Sequence, residues 1–210
     1  MTVSIIMDIT SSMVEVAEDL DQRIAARVRT LRAASSLSLE TLAERSGVSR
    51  SMISLIERGE ASPTAVVLDK LAAGLGVLLS TLFEPAGESA PTAPRGPLAR
   101  LKEQPLWKDP GSGYLRRNVT PAAAGQPMRI VEVRFPAGAR VAFENEGKDA
   151  SVCQQVWLLE GRMELTVGRQ RHRLEAGDCL AMRLDQPVMF HNPTRQAARY
   201  AVVIASGARP

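Results

Sequence analysis

Residues 38–59 read SLETLAERSGVSRSMISLIERG, and the architecture of the amino-terminal half follows from them. Ser38 offers an N-cap oxygen, Glu40 and Thr41 fill a first turn, and Leu39, Leu42 and Ala43 make a narrow apolar face. Gly47 predicts the end of that helix, because a left-handed residue just past a helix costs least without a Cβ. Val48 then plugs the gap between two helices while Ser49 caps the second, which buries Ile53 and Ile56 and stops near Gly59. Thr64, after Ser62 and Pro63, caps a further helix running toward Gly74 or Gly76. Upstream, Ile24, Val28 and Leu31 fall at helical intervals.

Around this stretch lies a chain of 210 residues, 45% hydrophobic and 23% charged, enough for one large or two small globular domains and too apolar for disorder as its main state. No apolar run nears the roughly 18 residues of a membrane span, since Ser80 cuts off Val77 to Leu79 and Ser206 and Gly207 soon end Ala201 to Ile204. Asp8, Glu15, Glu18 and Asp19, with no early Lys or Arg, do not make the basic start of a secretory signal, so the expected compartment is the cytoplasm. Two cysteines, Cys153 and Cys179, and two histidines, His172 and His191, are too few for a zinc finger of the usual spacing. The net charge of +3 says little, but Arg23, Arg27, Arg29 and Arg32 crowd one helix, which suits a polyanion as well as an ordinary solvated face.

The chain divides at EPAGESAPTAPRGPLARLKEQPLWKDPGSG, residues 84–113, where Pro, Gly, Ala and Ser suppress any sustained period. Beyond it, short β-rich runs such as 129–135, 156–159, 163–167, 179–184 and 199–204 alternate with turn residues, which predicts an all-β barrel or sandwich. The expected organisation is therefore α + β in two domains: an acidic arm over 1–21, a helical bundle over 22–84, a linker and entry segment over 85–112, and a β domain over 113–210.

Two short helices joined at a single glycine are a helix-turn-helix. Leu39, Leu42, Ala43, Gly47, Val48, Ser49, Ile53, Ser54, Ile56, Glu57 and Gly59, followed by Ser-Pro-Thr, resemble the XRE-type, lambda-repressor-like helix-turn-helix family over about residues 22–84. That resemblance implies sequence-specific binding of double-stranded DNA, with the second helix in the major groove. On its outward face Arg50 suits guanine O6 and N7, Ser51 is a less specific donor and acceptor, and Leu55 suits a thymine methyl. Ser49, Ser54 and Arg58 are better placed for phosphates or for turning the helix, and Arg27 and Arg32 are expected to add backbone contacts. Several relatives carry Gln at the position of Leu39, whose side chain cannot make the corresponding phosphate bond.

The second half is similar to a small cupin, a jelly-roll barrel. The tokens are Pro136-Ala137-Gly138, Trp157-Leu158-Leu159-Glu160-Gly161, Leu174-Glu175-Ala176-Gly177-Asp178 and Asn192-Pro193, with Trp107 to Tyr114 as an entry segment. Metal-using cupins carry an H-x-H pair, a Glu and a further His. By that pattern Gly147 to Ala150 holds no His, Gln154 stands in place of the Glu, and Val188 stands in place of the last His. No metal, cofactor or catalytic residue is therefore expected, and His172 and His191 are read as surface or hydrogen-bonded structural residues. Cys153 and Cys179 are read mainly as small hydrophobes, with a redox pair as the alternative. Trp157 and Phe135 are read as core. A barrel mouth of Gln154, Phe143, Met182 and Phe190, with Arg183 or Arg134, would take a small effector with an apolar body and an acidic end.

The function so implied is a cytoplasmic homodimeric transcription regulator on a palindromic operator, its barrel sensing a small molecule, dimerising the chain, or both. The alternative is a metal-dependent cupin enzyme tethered to a DNA-binding domain.

Overall fold

A computed structural model of the chain describes residues 20–84, 96–121, 128–145 and 152–206. Residues 1–19 and 85–95, most of the expected arm and the first part of the expected linker, lie outside the described residues, as do the Gly147 to Ala150 positions. Four helices come first: α1 over 20–34, α2 Leu39–Ser46, α3 Arg50–Glu57 and α4 Ala65–Leu75. A 3-10 turn, Leu79–Phe83, closes the bundle. Each expected cap is made: the hydroxyls of Ser38, Ser49 and Thr64 accept from the backbone N–H of Thr41, Met52 and Val67. Gly47 stands at φ 65° and Gly76 at φ 70°, the left-handed geometry that stops α2 and α4. Ile24, Val28, Leu42, Ile53, Ile56, Leu68 and Leu71 fill the bundle core. Gly74 lies inside α4 for a packing reason, since a Cβ there would stand 2.9 Å from Ser46 Cβ and 3.1 Å from the Ser46 backbone nitrogen.

The β half is built from β1 Leu106–Lys108, β2 Leu115–Asn118, β3 Met128–Phe135, β4 Arg140–Phe143, β5 Val152–Glu160, β6 Arg162–Val167, β7 Gln170–Glu175, β8 Cys179–Arg183, β9 Val188–His191 and β10 Ala198–Ser206. Two antiparallel sheets, ordered β1-β2-β3-β10-β5-β8 and β4-β9-β6-β7, face each other. The order of their last four strands, β3-β10-β5-β8 against β4-β9-β6-β7, is that of a jelly roll. Along β5 the side chains of Val152, Gln154, Val156 and Leu158 point inward, and those of Cys153, Gln155 and Trp157 outward. Trp157 is thus 49% exposed, not core, because the strand's period of two assigns its face regardless of size; Phe135 is buried as expected.

Bundle and barrel share one apolar core. Trp107, in the entry segment, is 2% exposed and sits edge-on to Phe83 of the bundle at 5.4 Å and to Tyr114 at 5.9 Å. From Tyr114 the ring contacts continue through Phe135, Tyr200 and Phe190 to Phe143. The chain has two Trp, two Tyr and four Phe, and all but Trp157 stand in this row. Polar ties reinforce it. The Asp109 carboxylate accepts from the Ala65 N–H at 2.8 Å, at the start of α4, and from the N–H and hydroxyl of Ser112 at 2.8 and 2.6 Å. Trp107 Nε1 donates to Asp21 on α1 at 3.2 Å, and Glu84 pairs with Arg27 of the bundle and Arg129 of the barrel.

Two stability tests follow. Gly74→Ala forces α2 and α4 apart and should cost about 1–3 kcal/mol, read as a lower midpoint in denaturant. Asp109→Ala leaves the Ala65 N–H at the start of α4 without its acceptor; it should cost about 1–3 kcal/mol and, in calorimetry, split one transition into two as bundle and barrel uncouple.

Candidate nucleic-acid interface and barrel cavity

The α3 helix turns Ile53, Ile56 and Glu57 inward. Ser49, Arg50 and Ser51 stand exposed at its N-terminus, and the hydroxyls of Ser49 and Ser51 lie 3.2 Å apart. Ser54 and Leu55 are half-buried on the flank. Met52, 39% exposed, belongs to the same surface. It was missed because methionine reads as core, although its place three residues before Leu55 carried the signal.

Arg27 and Arg32 are differently employed. Arg32 reaches across to Glu57 of α3, its Nε and Nη2 donating at 2.6 and 2.8 Å, while Nη1 donates to the Leu37 carbonyl at 2.9 Å. Arg27 donates to the Thr81 carbonyl at 3.2 Å and lies 3.5 Å from Glu84. Both arginines, expected to add phosphate contacts, are turned to internal partners, because helical spacing gives a face but not what another helix sets against it. Arg58 grips Glu60 through two bonds of 2.8 Å and donates to Ser54 Oγ at 2.5 Å. That contact holds the Glu60 carboxyl below the usual carboxylate range.

Where bundle meets barrel there is a cavity of about 80 Å³. Gln154, Phe143 and Phe190 line it. Met182 is buried, but it is not among the lining residues. Arg183 and Arg134 are exposed instead, since β8 turns Met182 inward and β3 turns Val133 and Phe135 inward, leaving each arginine on the opposite face. The arginine in the cavity is Arg116 on β2, 7% exposed, with its guanidinium carbon 4.8 Å from the Phe83 ring centroid. Burial pushes its pKa down from the usual arginine value, and its Nε has no hydrogen-bond partner among the described residues. Leu115-Arg116-Arg117-Asn118 reads as a polar run, so composition hid it; the period of two from Tyr114 was the available signal. Ser80 of the 3-10 turn also lines the cavity, its hydroxyl buried and without a partner among the described residues.

Gln154 and Val188, which the cupin resemblance sets at the Glu and His positions of metal-using members, both line this cavity. His191 instead lies 3.4 Å from Glu164, which Arg171 and Arg173 also contact. Cys153 and Cys179 are exposed and pair across β5 and β8 with Arg183 and Trp157 respectively. Four residues of strand, roughly 13 Å, separate those positions, too far for a disulfide.

Residues 28–82 match the Helix-turn-helix family model. The chain is 24% identical to the HTH-type transcriptional regulator SutR of Escherichia coli K12, over 89% of this chain and 97% of that one. It is 26% identical to the HTH-type transcriptional regulator PuuR of the same organism, over 82% and 89%. Among solved structures, an HTH_3 family transcriptional regulator from Vibrio cholerae superposes with a TM-score of 0.71 at 26% identity, over 91% of this chain and 99% of that one.

If Arg32 holds α3 in place, Arg32→Met should lower stability by about 1.5–3 kcal/mol yet leave the salt dependence of DNA binding unchanged at a temperature where the variant is folded. A slope reduced by about one would make it a phosphate contact. Its caps, its turn at Gly47 and its matched relatives together make residues 28–82 a helix-turn-helix domain of the XRE type, in a chain similar along most of its length to HTH-type transcriptional regulators.

Proposed function

We propose that the protein is a cytoplasmic, homodimeric regulator that binds a palindromic operator in double-stranded DNA and answers to a small molecule held in its barrel. One observation carries the DNA assignment: α3 presents Ser49, Arg50 and Ser51 exposed at a capped N-terminus while Ile53, Ile56 and Glu57 lock the opposite face. Arg50 reads a base edge, Ser51, Leu55 and Met52 shape the groove contact, and Ser49 with Ser54 and Arg58 meets the backbone. Arg27 and Arg32 act one step back, by fixing α1 against α3 and the closing turn.

Dimerisation through the barrel is supported by the outer face of the larger sheet. There Met128, Ile130 and Trp157 are exposed together in neighbouring registers with Ala201, Val203 and Ala205 of β10. A second copy on this face gives two recognition helices, as half-sites about 34–36 Å apart require. A binding rather than catalytic barrel is supported by Gln154 and Val188 at the metal-ligand positions. Among the described residues no helix is long and apolar enough to cross a membrane.

The test is selection of genomic DNA fragments by purified protein at fixed salt, followed by Arg50→Ala on the selected site. A short palindrome is expected, with a loss of about 1–3 kcal/mol in the variant and relaxed preference at one base position. Equal loss on every sequence would move Arg50 to the backbone class, and no enrichment at all would remove the regulator reading.

A further inference from the structure

We propose that the cavity between bundle and barrel binds a small molecule bearing a carboxylate and an apolar body, the carboxylate seated on Arg116 of β2 and on the Ser80 hydroxyl of the 3-10 turn. The inference rests on the reading of the barrel as a sensor and assigns its ligand class and seat.

Two buried donors in one cavity carry it. Arginine stays charged in proteins, and a buried guanidinium is costly unless it is paired and hydrogen-bonded. Among the described residues Arg116 has no ion pair, and its Nε has no acceptor; its guanidinium lies over the face of Phe83. That contact places an aromatic face against the guanidinium, whose N–H groups are the donors with which arginine takes a carboxylate in two parallel bonds. Ser80, 5% exposed, brings a second donor from the opposite side of the junction. Tyr114 and Tyr200 also line the cavity, and burial raises their pKa values, so both remain neutral. Phe143, Phe190 and Val188 supply apolar wall, and the volume of about 80 Å³ is several times what one water needs.

Asp69 of α4 lines the same cavity. It has a partner of its own within the protein, and the shared ligand chemistry, a carboxylate on an aliphatic body, has two sources: a simple short-chain acid or an amino acid. Because Ser80 and Phe83 belong to the bundle and Arg116 to the barrel, the ligand bridges the two halves.

Thermal shift and calorimetric titration of the full-length protein with isovalerate, leucine and the neutral isostere isovaleramide decide it. Expected is a saturable rise in melting temperature with isovalerate or leucine, at least about tenfold weaker binding of isovaleramide, and loss of the response in Arg116→Met. Preference for leucine marks an amino-acid ligand; preference for isovalerate marks a simple acid. Arg116→Met should itself melt at or above the wild-type temperature without ligand, since it removes an unpaired buried charge. Ser80→Ala should fold normally and bind several-fold more weakly. No response to either acid, an equal response to the amide, or an unchanged response in Arg116→Met overturns the proposal. DNA selection on the same preparations keeps the two readings apart: a retained operator with no acid response defeats this inference alone.

Discussion

The Asp109 carboxylate, set on the first N–H of α4, is the fastening on which the rest of the arrangement depends. A helix start leaves backbone donors without partners, and an anionic acceptor satisfies them and suits the positive end of the helix. Here the acceptor comes from the barrel's entry segment, 44 residues downstream of the donor. Beside it Trp107 is wedged between Phe83 and Tyr114, so the recognition unit is oriented by the same core that closes the barrel. A DNA-binding head on a loose tether would have no use for a tryptophan buried this deeply at the join.

Within the bundle, charge placement separates support from contact. Glu57 lies on the recognition helix but faces inward, and Arg32 from α1 clasps it with two bonds. The planar guanidinium fixes orientation as well as distance, which a lysine at that position would not do. The arginine stripe of α1 is therefore partly an internal brace, since Arg32 ties α1 to α3. Its positive charge still adds to the field around the site, but its geometry serves α3.

What could be read without coordinates was what is local. Ser38, Ser49 and Thr64 cap, and Gly47 and Gly76 terminate, because each acts within one helical turn of its own position. The jelly roll was legible at the level of class, from short β-rich runs between turns. The face of each strand residue was not. Trp157 was assigned inward on size, and Arg134 and Arg183 toward the cavity on charge, yet the strand period sends all three outward. Arg116 was overlooked for the converse reason, that a buried arginine violates the expectation that charges stay in water. Such violations gather at functional sites, where local preference yields to a task.

The position of that arginine bears on how a signal could reach DNA. A ligand shifts a conformational equilibrium only by the difference in its affinity for the two states. A pocket wholly inside the barrel would sense the barrel alone. This one takes Arg116 from β2 and Ser80 from the turn whose Thr81 carbonyl is held by Arg27 of α1, and the Phe83 ring of that turn lies against Arg116. Any displacement of that turn relative to β2 changes the ligand's contacts and the seating of α1 together, and α1 holds α3 through Arg32 and Glu57. For a ligand seated on Arg116 and Ser80, the differential affinity that regulation demands would lie in a seam whose two sides belong to different domains.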